Sequence, residues 1–326
     1  MKSEQEYFEF TTYTKEKIAS FTSIREGETK LGEKLTTDYK SPSCKYVIIG
    51  ISEDLGPQAN MGISGSKNSF ESFVKRFVNT QSNRYLHGES ICILGEIIQN
   101  TNFSTTTEAR KSIEILDDFA AKILCPIFES GKTIILIGGG HNNAYPLLKA
   151  NFTANKTSMN VVNMDPHADC RPLEGRHSGN PFSYAKDHGF LEDYSVIGLH
   201  QNYNSERIYD YLDKNKFMYT FYEDYLDGNR ILQEDIQTII NTRDHNKNLG
   251  IEIDLDSIAY MPSSAYTPSG FSLETIRQYV REIAKQKNIS YIHLPEGGPS
   301  TENEEKTVGK ALAYLVTDFI KSNNSY

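Results

Sequence analysis

Eight short apolar runs lie along the chain, separated by polar or amphipathic stretches. They span residues 46–49, 91–94, 133–137, 159–164, 194–199, 217–221, 250–255 and 289–294. Each is short, and most are rich in Ile, Val or Tyr. Short apolar runs of this composition are typical of strands that are buried on both faces of a parallel sheet.

Several of the runs are separated by helical periodicity. Residues 69–78 carry apolar side chains on one face, and a second helix is predicted from Asp117 to near Gly131. A third is predicted over about 301–321, where Thr301 and Glu304 form a capping box. Strands that alternate with helices indicate βαβ units and therefore a parallel sheet.

No shift in composition and no internal repeat divides the chain. The first 40 residues are polar, so we expect residues 1–40 to form a peripheral N-terminal segment and residues 41–326 to form one domain. Residues 99–107 are interpreted as a loop, and residues 322–326 as a frayed end.

Composition narrows the class of protein. The chain has 326 residues, a formal net charge of −9, 38% hydrophobic and 24% charged residues, which excludes a disordered chain or a coiled coil. The acidic balance argues against a nucleic-acid partner. There is no apolar run of 18 residues, no secretory signal and no paired cysteine spacing. We therefore expect a cytoplasmic protein with no membrane partner.

Acids and histidines follow three of the predicted strands, where open α/β sheets bind their ligands. Gly138-Gly139-Gly140-His141 follows the run at 133–137, and Asp165-Pro166-His167-Ala168-Asp169 follows the run at 159–164. The run at 250–255 leads into Asp254 and Asp256. Alternate residues of an extended chain share a face, so each group converges, at a high desolvation cost unless a cation joins it.

Together these motifs supply two imidazoles and four carboxylates. Six nitrogen and oxygen ligands are too many for one tetrahedral zinc ion, but they suit two divalent ions that share bridging carboxylates, and Mn²⁺ fits such a mixture. The candidate ligands are His141, Asp165, His167, Asp169, Asp254 and Asp256.

In order and spacing, the three motifs resemble those of the ureohydrolases, which include arginase, agmatinase and formimidoylglutamase. The resemblance covers residues 46 to about 320. It implies a three-layer α/β/α sandwich with an eight-stranded, mostly parallel sheet, and two Mn²⁺ per subunit. Asp165 and Asp254 would bridge the ions, His141 and Asp169 would complete one site, and His167 and Asp256 the other.

The same resemblance implies a mechanism, in which a hydroxide held between the two ions attacks a planar amidine carbon. Asp169 would hydrogen-bond this hydroxide and pass its proton to the leaving amine. His177 is a second candidate for proton transfer, or else a structural residue of its loop.

Departures from arginase favour the formimidoylglutamase branch. The motif is Gly-Gly-Gly-His rather than Gly-Gly-Asp-His, and Arg171 stands where arginases place an Asn that holds the substrate. A guanidinium group binds carboxylate bidentately. Ser178 and Asn180 lie in a loop similar to that of formimidoylglutamases, and Glu296 is the candidate for gripping the amidine nitrogens.

The sequence therefore predicts hydrolysis of N-formimidoyl-L-glutamate to L-glutamate and formamide, a step of histidine breakdown. Three alternatives stay open: a urea-releasing arginase, agmatinase or guanidino-acid hydrolase, a non-catalytic metal-binding family member, and a one-zinc deacetylase-like hydrolase. The six-ligand set argues against the last two. A small-molecule amidine is the expected partner, and homo-oligomerisation is left open.

Overall fold

The computed structural model describes residues 4–324 and contains one nine-stranded sheet. The strands are β1 Phe8–Thr12, β2 Tyr46–Ser52, β3 Ile91–Gln99, β4 Thr133–Ile137, β5 Met159–Met164, β6 Leu191–Leu199, β7 Met218–Phe221, β8 Leu249–Ile253 and β9 Ile289–Leu294. Their spatial order is β1-β3-β2-β4-β9-β8-β5-β6-β7. All neighbours pair in parallel except β1 with β3.

All eight predicted strands are present, and they are the eight strands of the parallel part of the sheet. The ninth, β1, was not predicted and pairs antiparallel with β3 at one edge. It belongs to the segment predicted to be peripheral, yet that segment buries Phe8, Ile18 and Leu31 almost completely. Its polar composition concealed these few apolar contacts.

Helices cover both faces of the sheet. They are α1 Glu4–Tyr7, α2 Lys15–Phe21, α3 Leu55–Ala59, α4 Ser69–Phe77, α5 Thr106–Glu129, α6 Ala144–Asn155, α7 Pro181–Asp187, α8 Glu206–Lys214, α9 Tyr222–Leu226, α10 Leu232–Thr242, α11 Leu273–Ile283 and α12 Glu302–Asn323. Within residues 4–324 no helix is long and apolar enough to cross a membrane.

Two apolar cores lie on the two faces of the sheet. Along β2, Ile48 packs into the core shared with α4, α11 and α12, whereas Val47 and Ile49 pack into the core shared with α5 and α6. The alternation follows from the period of two in a strand. The arrangement is the predicted three-layer sandwich.

Two predicted helix boundaries were wrong. Helix α5 begins eleven residues before Asp117, at Thr106, because Thr105 caps it by accepting a hydrogen bond from the backbone N–H of Glu108. Residues 322–324, which were predicted to be frayed, instead continue α12 and its cap. The Tyr46 hydroxyl donates to Asn323 Oδ1 at 2.8 Å and holds this end in place. Ser325 and Tyr326 lie outside the described residues. The capping box of Thr301 and Glu304 on α12 is confirmed.

Candidate metal centre and substrate cavity

Four adjacent strands in the middle of the sheet bring the predicted ligands together. Strands β4, β9, β8 and β5 are neighbours and run in parallel. Their carboxyl ends therefore open on the same edge, where each is followed by one group of polar residues. His141 follows β4, Glu296 follows β9, the Asp254 pair follows β8 and the Asp165 group follows β5.

His141 is at the centre of the cluster. Its Nδ1 lies 3.1 Å from Asp165 Oδ2, 2.9 Å from Asp169 Oδ2 and 2.9 Å from Asp254 Oδ2. Yet this buried nitrogen makes no hydrogen bond. Ligand atoms bound ~2.0–2.2 Å from one ion at right angles to each other lie about 3 Å apart. The spacing and the unpaired nitrogen both fit a divalent ion.

The second group shares Asp165 with the first. His167 Nδ1 lies 3.4 Å from Asp165 Oδ1 and 3.8 Å from Asp256 Oδ2. The backbone N–H of Asp256 donates to Asp254 Oδ1 at 2.7 Å, which turns both acids towards the same space. His141, Asp165, Asp169 and Asp254 thus form one close group. His167 and Asp256 lie beside it and are linked to it through Asp165 and Asp254.

Burial and mutual repulsion make the carboxylates costly to ionise. Burial and the charges of Asp256 and Asp165 raise the pKa of Asp254 well above its usual value, and burial and Asp165 raise the pKa of Asp169. For Asp165, burial is outweighed by the imidazoles of His141 and His167 beside it, so its pKa is lowered. Asp254 and Asp169 are therefore stable as anions only with additional positive charge nearby. Bound Mn²⁺ would supply that charge.

The turn that carries His141 depends on a buried acid that the sequence analysis missed. Glu53 accepts hydrogen bonds from the backbone N–H of Gly140 at 2.8 Å and from Asn143 Nδ2 at 2.8 Å. Gly139 has a φ of +67°, and a Cβ there would lie 2.9 Å from Glu53 Oε1. The glycines therefore allow the tight turn that Glu53 holds in place. An acid directly after the apolar β2 run was the available signal.

A cavity of about 550 Å³ opens over the cluster. Seven of the predicted site residues line it: Glu296 and, with it, His167, Asp169, Arg171, Ser178, Asp254 and Asp256. Glu296 Oε1 accepts a hydrogen bond from His141, whereas its Oε2 is buried without a partner among the described residues. Burial and the nearby Asp256 charge raise the pKa of Glu296 to about 8.

Arg171 lies at the mouth of the cavity, with its side chain 43% exposed. Its guanidinium donates to Asn60 Oδ1 at 2.7 Å and lies 3.1 Å from Glu174 Oε1. Five N–H groups are available on a guanidinium, so donors remain for a ligand. Arg207, at the start of α8, also lines the cavity and has no ion pair among residues 4–324. The sequence analysis did not single it out.

Four predicted site residues are absent from the cavity lining: the ligands His141 and Asp165, and the loop residues Asn180 and His177. Asn180 is fully buried; its Oδ1 accepts from Arg176 at 2.8 Å and its Nδ2 donates to Gly175 O at 2.8 Å. His177 lies between Glu174 Oε1, 3.2 Å from Nε2, and the backbone N–H of Gly179, which donates to Nδ1. The side chains of Asn180 and His177 are used to hold their own loop, so this placement does not support their predicted roles.

The buried side chain of Arg176, which no sequence pattern singled out, fixes this loop to the rest of the protein. Its guanidinium donates to Asp117 Oδ2 at 2.8 Å and to the carbonyl of Asn142 at 2.9 Å, beside His141. It also lies over the rings of Tyr145 and Tyr184, at 4.6 and 5.1 Å. The substrate loop and the metal turn are therefore joined through one buried cation.

Comparison with known proteins agrees with this geometry. The family model of the arginase family matches residues 45–320. The chain is 26% identical over 282 residues to a formimidoylglutamase of Staphylococcus haemolyticus, covering 84% of this chain and 85% of the relative. A formimidoylglutamase of Staphylococcus aureus is 25% identical over 279 residues, with the same coverage.

Solved structures resemble the fold. A formimidoylglutamase from Bacillus subtilis superposes with a TM-score of 0.76 at 17% identity, covering 93% of this chain and 94% of that one. A formiminoglutamase from Trypanosoma cruzi, solved with Mn²⁺, superposes with a TM-score of 0.71 at 20% identity, covering 90% of this chain and 98% of that one. At these identities the likeness establishes the shared fold.

Proposed function

Because the chain belongs to the arginase family, we propose that it is a metal-dependent hydrolase that cleaves the amidine C–N bond of N-formimidoyl-L-glutamate. The products would be L-glutamate and formamide. The relatives named formimidoylglutamase support this substrate, and so does the charge of the cavity.

The observation that carries the proposal is the pairing of two guanidinium groups with an acidic cluster across one cavity. Arg171 and Arg207 line the outer part, whereas Asp169, Asp254 and Glu296 belong to the inner part. The proposed substrate carries a formimino group on its α-nitrogen and two carboxylates, one on the adjacent α-carbon and one at the end of the side chain. Guanidinium groups suit the carboxylates, and Glu296 suits the formimino nitrogen.

His141, Asp165, Asp169 and Asp254 would hold one Mn²⁺, and Asp165, His167, Asp254 and Asp256 the other. Bound there, the ions would activate water and stabilise the tetrahedral transition state for its addition to the amidine carbon. The chain's own residues would orient the substrate and move its protons.

Glu296 is placed to orient the amidine. Glu296 is only 2% exposed, and its Oε2 has no hydrogen-bond partner among the described residues. The residue lines the cavity together with Asp254 and Asp256. A carboxylate there would hydrogen-bond the formimino N–H and hold the planar carbon towards the acidic cluster. This positioning lowers the entropy cost of reaching the reactive geometry.

Asp169 is the candidate for moving a proton to the leaving amine. Its carboxylate lines the cavity and keeps 11% of its side chain exposed, whereas Asp165 and Asp254 are almost fully buried. It also adopts a φ of +48°, a backbone strain of the kind found at functional sites. Asp169 can therefore contact both the cluster and a ligand.

A substrate comparison tests the proposal. Purified protein is loaded with Mn²⁺, its metal content is measured, and it is given formimidoylglutamate, arginine, agmatine and 4-guanidinobutyrate in separate reactions. We expect about two Mn²⁺ per chain from the two ligand groups, formamide from the first compound and no urea from the others.

Asp254→Asn is the matched control, because it keeps the shape of a shared ligand and removes its charge. We expect it to lose both metal and activity. Urea from a guanidine would overturn the substrate assignment but keep the metal chemistry. Fewer than two ions per chain together with no activity would favour the non-catalytic alternative.

A further inference from the structure

A buried polar network lies directly behind His141, on the side away from the cavity. Glu252 is at its centre. Its Oε1 accepts from the Tyr291 hydroxyl at 2.7 Å, its Oε2 accepts from His293 Nδ1 at 2.6 Å, and the same Oε2 lies 3.4 Å from His141 Nε2. All four residues are 0% exposed.

The sheet is built to accommodate this network. Glu252 on β8 is the register partner of His293 on β9, and Gly250 is the partner of Tyr291. A Cβ on Gly250 would lie 2.3 Å from the Tyr291 ring. The missing side chain therefore leaves the space that lets the tyrosine hydroxyl reach Glu252.

A carboxylate with no exposed surface is expensive to bury, and apolar residues would fill the same space at less cost. Two side chains, Tyr291 and His293, nevertheless hydrogen-bond this one, and the ring of His141 lies beside it. None of the four side chains is needed for strand pairing, and β8 and β9 are otherwise apolar in this region. The network therefore has a purpose other than stability.

We propose that Glu252 is a positioning residue that orients His141 for metal binding. An anionic oxygen beside Nε2 favours the ring form that carries its proton there, which leaves the Nδ1 lone pair directed at Asp165, Asp169 and Asp254. Carboxylates commonly support metal-binding histidines in this way. His293 and Tyr291 hold the carboxylate of Glu252 in position.

The inference rests on the proposed function only in that the cluster binds two ions. It makes a selective statement, because His141 belongs to one of the two ligand groups and His167 to the other. Weakening the contact behind His141 should therefore weaken the binding of one ion and leave the binding of the other unchanged. A general loss of packing would affect both.

The test is metal binding by Glu252→Gln, which keeps size and one acceptor oxygen but removes the charge. Mn²⁺ titration calorimetry and electron paramagnetic resonance are measured without substrate. We expect the affinity of one site for Mn²⁺ to fall roughly 10–100-fold, and that of the other site to stay within about threefold of its value in the unaltered protein. At limiting Mn²⁺ the spectrum should change from a spin-coupled pair to an isolated ion.

Two variants serve as controls. Asp235→Asn removes another buried carboxylate, which lies on α10 and pairs with Arg230. This variant should keep both ions. Tyr291→Phe removes one support of Glu252 but leaves the contact with His141, so its effect should be smaller and again confined to one site.

The outcomes separate the two proposals. If the unaltered protein binds fewer than two ions, the proposed function fails. If it binds two and Glu252→Gln binds both as tightly, or weakens both equally, the proposed function stands and the positioning role is wrong. Should Glu252→Gln fail to fold, the same selective loss is required of Tyr291→Phe.

Discussion

The backbone N–H of His141 donates a hydrogen bond of 2.6 Å to Oε1 of Glu296, and so joins the turn after β4 to the end of β9. One oxygen of this carboxylate therefore stabilises the metal turn. The other oxygen has no partner among the described residues, and the residue lines the cavity. A structural contact and a candidate substrate contact are combined in one side chain.

We expect Glu296→Gln to separate these two roles. The amide oxygen can still accept from His141, while the charge that would grip the amidine is lost, so kcat/KM should fall roughly 100-fold. Burial and Asp256 raise the pKa of Glu296 to about 8, so ionising this group in the folded protein is unfavourable, and the neutral amide should not lower Tm. Steady-state kinetics and calorimetry measure both. Glu174→Gln, at the cavity mouth, is the control, and equal losses in both variants would contradict the prediction.

We expect Arg207→Ala to raise KM about fivefold with little change in kcat, because an exposed guanidinium–carboxylate contact contributes ~1 kcal/mol. The measurement is initial rate against formimidoylglutamate concentration. Lys214→Ala, at the other end of α8 and outside this cavity, should leave KM unchanged. An unchanged KM in Arg207→Ala would remove this residue from the substrate site.

The Arg176–Asp117 pair should dominate the stability of the loop beneath the cavity. Both side chains are almost fully buried and 2.8 Å apart, so Arg176→Met should cost about 3–5 kcal/mol by leaving Asp117 unpaired. Urea unfolding measures the loss. The double variant with Asp117→Asn should recover part of it, because no uncompensated charge then remains; strict additivity would show that the two residues do not interact.

His177 should make the protein sensitive to mild acid. Burial, and then the charges of Arg110 and Arg171, lower the pKa of this histidine to about 4, from 6.5. Between these two values the unfolded state binds the proton and the folded state does not, so this contribution is complete above pH 6.5 and is lost as pH falls towards 4. We expect Tm to decline less steeply from pH 7 to pH 5 in His177→Gln than in the unaltered protein. Parallel declines would contradict this.

The sequence by itself determined the parts of this protein that depend on local pattern. Each strand of the parallel sheet is a short apolar run, and burial on both faces leaves that signal in the residues themselves. The metal motifs are equally local, because alternate positions of an extended chain share a face and Asp165, His167 and Asp169 were therefore legible together. The ends of α4 and the beginning of α12 followed from amphipathic spacing and a cap.

Only the tertiary structure decided which groups from different strands meet. The order β4-β9-β8-β5 sets Glu296 against the backbone of His141 and Glu252 against its ring. No spacing along the chain encodes these contacts, since they join residues more than a hundred positions apart. Strand β1 joins the edge of the sheet for the same reason. Its pairing with β3 places a segment of polar composition in the sheet.

The loop around residues 171–180 shows where sequence reasoning ends. The sequence placed Arg171, His177, Ser178 and Asn180 together, but the direction of each side chain depends on its hydrogen-bond partners. Folding turned Asn180 inward onto Arg176 and left Arg171 at the cavity. A buried amide must satisfy its donors and acceptors, and the partners that do so were fixed by packing rather than by the order of residues along the chain.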